Sequence, residues 1–111
     1  MAREEKEIEK QYYSIGEVAD MLQLNTSLLR YWEKEFDILK PKKNAKGDRL
    51  FTREDVENIK LIYHFVREKG YTLEGAKAQL KSNLGEAQKK FRIIEKLKKV
   101  RGFLVEIKEA L

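Results

Sequence analysis

Six basic residues, Lys40, Lys42, Lys43, Lys46, Arg49 and Arg53, crowd one stretch of the chain with a single acid, Asp48. The formal net charge is +5, so this stretch carries all of it and the remainder sums to zero. Ammonium and guanidinium groups at this density suit phosphate oxygens. Composition alone leaves a solubilising loop equally open. Upstream, Ser27, Arg30, Tyr31 and Lys34 recur at i, i+3, i+4 and i+7, one face of a helix. Arginine donors match guanine edges and phosphates, and tyrosine hydroxyls reach phosphates.

Other chemistries find little material. The chain has no cysteine, which excludes disulfides, thiolate metal sites and thiol catalysis. Its sole histidine, His64, stands isolated in a helical stretch, where a satisfied or solvent-facing role outweighs metal ligation. There is no phosphate-cradling glycine loop and no converging carboxylate pair. Neither an enzyme nor a bound cofactor or metal is expected. No apolar run is long enough to span a bilayer and no signal-peptide pattern opens the chain, so a cytoplasmic protein is expected.

The elements that must position the basic residues can be read in order. Residues 1–11 alternate Glu and Lys and read as a flexible N-terminal extension. Ser14 with Glu17 forms a capping-box pattern, and Ile15, Val18, Ala19 and Leu22 give a first helix with one apolar face. Gln23-Leu24-Asn25 makes a turn, with Asn25 as N-cap of a second helix reaching about Phe36. Leu28, Leu29, Trp32 and Phe36 are its core side. Thr26, its first residue, joins Ser27, Arg30, Tyr31 and Lys34 as a candidate contact. Two short helices joined this way are a helix-turn-helix, whose second helix enters a major groove.

After Pro41 interrupts helix formation, Ile38-Leu39-Lys40 and Arg49-Leu50-Phe51 are expected to pair around a Lys46-Gly47-Asp48 turn, giving a β-hairpin wing that presents Lys43 and Lys46. Thr52 and Asp55 open a third helix with Val56, Ile59, Ile62, Tyr63 and Val66 inward. Gly70 closes it in the left-handed conformation. Thr72 caps a fourth helix with Leu73, Ala76 and Leu80 inward, and Ser82 to Gly85 reads as a break. The domain expected from these elements covers residues 12–82.

Residues 86–111 carry the cleanest periodicity. Ile93, Leu97, Val100, Leu104, Ile107 and Leu111 are spaced 4, 3, 4, 3, 4, an a/d seam spanning roughly 28 Å at ~1.5 Å per residue. A lone helix of this length is marginal, so the seam predicts dimerisation. Folding back on its own domain is the plainer alternative. The e and g positions include Lys89, Lys96, Arg101 and Lys108 and no acid, so charge does not choose parallel from antiparallel.

Three runs carry a family resemblance: Tyr13-Ser14-Ile15-Gly16-Glu17-Val18-Ala19, then Arg30-Tyr31-Trp32-Glu33, then Gly47-Asp48-Arg49-Leu50-Phe51. In order and spacing they resemble the MerR family of bacterial transcription regulators. Glu68-Lys69-Gly70-Tyr71-Thr72-Leu73 is similar to the helix-loop-helix that the family uses as a second wing. The resemblance covers about Tyr12 to Leu80, with the C-terminal helix in the place of the family's dimerisation coil. It implies a homodimer with an antiparallel coil that binds double-stranded DNA at a near-palindromic promoter site, distorts it and works beside RNA polymerase. It also implies that Arg30 and Tyr31 contact DNA from the recognition helix, Arg49 from the first wing, and Arg67 and Tyr71 from the second. Ser27 and Leu28 depart from residues common in the family, which leaves base preference open. Metal-sensing members place cysteines at and after the coil and drug-sensing members add a ligand domain. Neither is visible here, so a short member without an effector domain is expected.

The sequence therefore predicts a mostly α fold: a winged helix-turn-helix with a small β-hairpin wing and a long C-terminal coiled-coil helix. A phage-type architectural DNA-binding protein, similar to an excisionase or a small terminase subunit, is the alternative function on the same fold. An interaction adaptor whose coil binds another protein has little support.

Overall fold

The computed structural model describes residues 11–111; the expected extension over residues 1–11 lies outside them except for Gln11. Contacts divide the chain into two compact units, the first running to Lys77 and the second from Ala78 to Leu111.

In the first unit, β1 (Tyr12–Ser14) leads directly into α1 (Ile15–Leu22), and α2 (Thr26–Glu35) follows. The Ser14 side chain accepts the Glu17 N–H at 3.1 Å and Glu17 returns a bond to the Ser14 N–H at 3.0 Å, completing the capping box. The turn between the helices is made by Gln23 in the left-handed conformation, φ 55° and ψ 47°. Asn25 is the N-cap of α2, as expected, with extended backbone and without a side-chain capping bond. The Asn25 carbonyl accepts the first intrahelical bond, from the Leu29 N–H. Leu29, Trp32 and Phe36 are buried, and Leu28 is half-buried.

The wing differs from its sequence reading. Ile38-Leu39-Lys40 is not a strand: the Leu39 N–H turns back to the Phe36 carbonyl, Leu39 is buried, and the Lys40 N–H bonds to Asp55. Burial of Leu39 outweighs the strand propensity of an isolated apolar pair, and Pro41 then has no N–H for a ladder. Pairing starts one residue later, with β2 (Lys42–Lys43) opposite β3 (Arg49–Thr52), in the register Lys42 to Leu50 and Lys43 to Arg49. The turn spans Asn44 to Asp48. Asn44 Oδ1 accepts the N–H groups of Lys46 (2.9 Å) and Asp48 (3.0 Å), and Gly47 supplies φ +83°. A pairing that sequence reasoning missed completes the sheet: β1 lies antiparallel on the other edge of β3, with Tyr13 opposite Phe51.

Thr52 and Asp55 form the expected capping box at the start of α3 (Arg53–Tyr63). Val56, Ile59, Leu61 and Ile62 are buried. Tyr63, expected inward, is exposed: it ends α3 one step, about 100°, round from the buried Ile62. A π-helical turn follows over His64–Glu68, in which Val66 is half-buried. Phe65, three and four residues beyond the buried Ile62 and Leu61, is buried within that turn. Gly70 follows with φ +74°. Beyond it α4 (Leu73–Ser82) begins, the Thr72 hydroxyl accepting from the Gly75 N–H at 3.0 Å. Ala76 and Leu80 are buried and Leu73 is half-buried.

In the second unit, the break expected over Ser82 to Gly85 narrows to one residue. Asn83, at φ −134° and ψ 39°, separates α4 from α5 (Leu84–Ala110). Its N–H still closes α4 on the Gln79 carbonyl while its own carbonyl opens α5, so a single residue suffices. No residue of α5 is buried, and Ile93, Leu97, Val100, Leu104, Ile107 and Leu111 are all exposed. Among the described residues, no helix is long and apolar enough to cross a membrane.

Candidate nucleic-acid interface

The site is built on α2. Leu29, Trp32 and Phe36 anchor one side of this helix in the core, which turns Ser27, Arg30, Tyr31 and Lys34 to the exposed side, with Thr26 half-buried at its first turn. The 3.6-residue period makes these two assignments one fact: wherever Trp32 is buried, Arg30 and Lys34 cannot be. Tyr31 is 49% exposed and its neighbour Trp32 only 2%. An exposed tyrosine between two cations is a poor surface for solubility alone and a good one for a phosphate backbone.

The wing is the second part. Lys42, Lys43 and Lys46 are all exposed, on a hairpin that the Asn44 side chain closes. Lys42 Nζ lies 5.9 Å from the centre of the Tyr12 ring, so even the strand edge opposite is tied to the wing.

Arg49 joins the two parts. Its Nε donates to Glu33 Oε2 on α2, an ion pair between helix and wing whose side chains are 33% and 18% exposed. Sequence reasoning took Arg49 as a DNA contact and gave Glu33 no role. The pair links residues 16 positions apart, and no period or motif marks such a contact beforehand. On the other side of α2, Glu35 takes Lys77 Nζ at 3.4 Å.

Arg67 and Tyr71 occupy the turn after α3. Arg67 is exposed, and Tyr71 is half-buried with its ring edge-on to Phe65 at 5.0 Å. The Tyr71 N–H bonds to the Phe65 carbonyl, and Lys69 Nζ stands 5.5 Å from the Phe65 ring. Among the described residues, neither Arg67 nor Tyr71 makes a hydrogen bond or ion pair with α2 or the first wing. The structure thus places Arg30, Tyr31 and Lys34 on one exposed helix side and Lys43, Lys46 and Arg49 on the hairpin, with the Arg49–Glu33 pair linking helix to hairpin. The second-wing residues are placed separately, by the π-helical turn.

His64 is held by Glu68, Nδ1 to Oε1 at 2.8 Å. Among the described residues no group of three His, Cys, Asp or Glu is placed to hold a metal ion.

Two helices in sequence, the second exposed along its polar side and followed by a basic hairpin, define a winged helix-turn-helix protein. Residues 13–83 match the family described as "MerR HTH family regulatory protein", and the chain belongs to that family. Relatives include the HTH-type transcriptional regulator MlrA of Salmonella typhimurium, 34% identical over 74 residues, which are 67% of this chain and 30% of that protein. The HTH-type transcriptional regulator ZntR of Escherichia coli is 34% identical over 68 residues, 61% of this chain and 48% of that one. The chain thus spans under a third of MlrA and about half of ZntR.

Among solved structures, a MerR family regulator from Bacillus cereus is similar at a TM-score of 0.57 and 22% identity, over 88% of this chain and 78% of that one. HiNmlR, a MerR family regulator lacking the sensor domain and bound to promoter DNA, is similar at 0.55 and 23%, over 89% and 88%. At these identities the likeness is one of fold.

Proposed function

We propose that this protein is a transcription regulator that binds double-stranded DNA sequence-specifically as a homodimer. The observation that carries the reading is the exposed Arg30, Tyr31 and Lys34 face of α2, tied through Glu33 and Arg49 to a lysine-bearing wing. The α2 face lies in a major groove and reads base edges, and Lys43 and Lys46 take backbone phosphates beside it. Thr26 and Ser27, at the helix start, are the near contacts. Arg67 and Tyr71 add phosphate contacts from the second wing.

Family membership supports the reading, as do the relatives' names as transcription regulators. So does the fold shared with a regulator bound to promoter DNA. The second copy is argued from α5. A helix 27 residues long with no buried residue and an apolar stripe along it needs a partner, and an identical helix satisfies the a/d register. Two half-sites held at once then match a near-palindromic promoter site, distorted on binding, with RNA polymerase as the further partner there.

The deciding experiment is selection from a random duplex library with the full chain. Enrichment of a near-palindromic sequence is expected, with affinity falling steeply as salt rises. Arg30→Ala should weaken binding to the enriched duplex by about 1–3 kcal/mol. No enrichment of any sequence overturns the reading.

A further inference from the structure

We propose that Glu33 is a positioning residue for the DNA contact of Arg49: its carboxylate holds the arginine by Nε and leaves the two Nη groups as the donors for a phosphate. This inference rests on the DNA-binding reading above and deepens it.

An acid on the helix that is to approach a polyanion is unfavourable by Coulomb's law alone. Glu33 stands there nonetheless, in the same α2 segment as Arg30, Tyr31 and Lys34. Its side chain is 18% exposed and that of Arg49 33%, so water screens the pair less than a fully exposed one. A guanidinium carries five N–H donors in a rigid planar fork, and the bond from Nε uses one of them. The plane of the fork is thereby set before DNA arrives. Less rotamer freedom is then lost on binding. A lysine at this position has one ammonium and cannot serve two acceptors in a fixed plane.

The pair has a second effect. Arg49 opens β3, directly opposite Lys43, and Glu33 is on α2, so the same bond fixes the hairpin against the helix. The contacts of Lys43 and Lys46 are thereby kept in step with those of Arg30.

Charge and positioning predict opposite signs for one substitution. Removing the negative charge of Glu33 should tighten DNA binding if the residue acts by charge. It should weaken binding if the residue holds Arg49. The probe is the duplex enriched by the unmodified full chain, with affinity measured across a salt series for Glu33→Gln, Arg49→Ala, Arg49→Lys and the Glu33→Gln/Arg49→Ala double variant.

Glu33→Gln is expected to weaken binding about fivefold and to lower the salt slope by up to about 1, as when a phosphate contact is lost. In the Arg49→Ala background the same substitution should no longer weaken binding. Arg49→Lys should bind as poorly as Arg49→Ala, a comparison that holds even if Glu33→Gln folds badly. The proposal is overturned if Glu33→Gln binds as well as or better than the unmodified chain, if its loss persists undiminished beside Arg49→Ala, or if Arg49→Lys keeps full affinity. Failure of the unmodified chain to enrich any duplex is a different result, and removes the DNA-binding reading together with this one.

Discussion

The carboxylate of Asp55 holds the wing at both ends. One oxygen accepts the Lys40 N–H at 3.3 Å, where the chain enters the hairpin; the other accepts the Thr52 N–H and hydroxyl at 3.0 Å each, where it leaves. Asp55 is buried and lies in the first turn of α3, where a negative charge also suits the helix dipole. A residue that by sequence is half of a capping box therefore also fixes the base of the wing.

Asp55→Ala removes the cap and leaves the Lys40 N–H without its acceptor. A loss of about 2–3 kcal/mol is expected from a cap plus an unsatisfied donor. Urea unfolding measures it. A loss below that of a simple cap would mean that the bond to Lys40 contributes nothing.

Tyr31 and Trp32 are neighbours with opposite surroundings. Trp32→Ala should destabilise the domain by about 3–5 kcal/mol, the cost of a large emptied core site. Tyr31→Ala should change stability by under about 0.5 kcal/mol, as a surface substitution, while weakening DNA binding. Thermal unfolding and a binding titration on the same two variants separate the roles.

Gln23 sits at φ 55°, where a side chain crowds the backbone. Gln23→Gly should stabilise the helix-turn-helix by roughly 0.5–1 kcal/mol, since relief of the left-handed strain exceeds the entropy that glycine adds to the unfolded chain. A lower unfolding midpoint would show that the entropy dominates.

Leu104 is 58% exposed in the α5 stripe. Leu104→Asp places a charge in the seam and should convert the proposed dimer to a monomer in multi-angle light scattering. DNA affinity should fall far more than for a single base contact, because both half-sites are no longer held together. A dimer that survives the substitution would place the interface elsewhere.

Much of the fold was legible because its signals are local. Both capping boxes, Ser14 with Glu17 and Thr52 with Asp55, are three-residue spacings. The glycine at position 70 and the 4-3 rhythm of α5 are read without any knowledge of a partner. The exposure of Arg30, Tyr31 and Lys34 followed from period alone, once Trp32 was assigned to the core.

The misreadings share a cause as well. Ile38-Leu39 has the composition of a strand, but burial of Leu39 and the bond from Lys40 to Asp55 claim its backbone for a turn. Tyr63 stands at i+4 from Ile59 and so reads as part of the stripe, yet packing leaves it at the exposed edge and takes Phe65 into the core.

What the residues determine by themselves is where helices begin and end and which side of each is apolar, since these depend on neighbours within a turn. Tertiary structure decides how the pieces meet: β1 on β3 through Tyr13 and Phe51, the wing on Asp55, and Arg49 on Glu33. Each of these contacts joins residues far apart in the chain, and its geometry depends on how both partners are packed. A three-residue strand has no periodicity to reveal its register, and an ion pair has none at all.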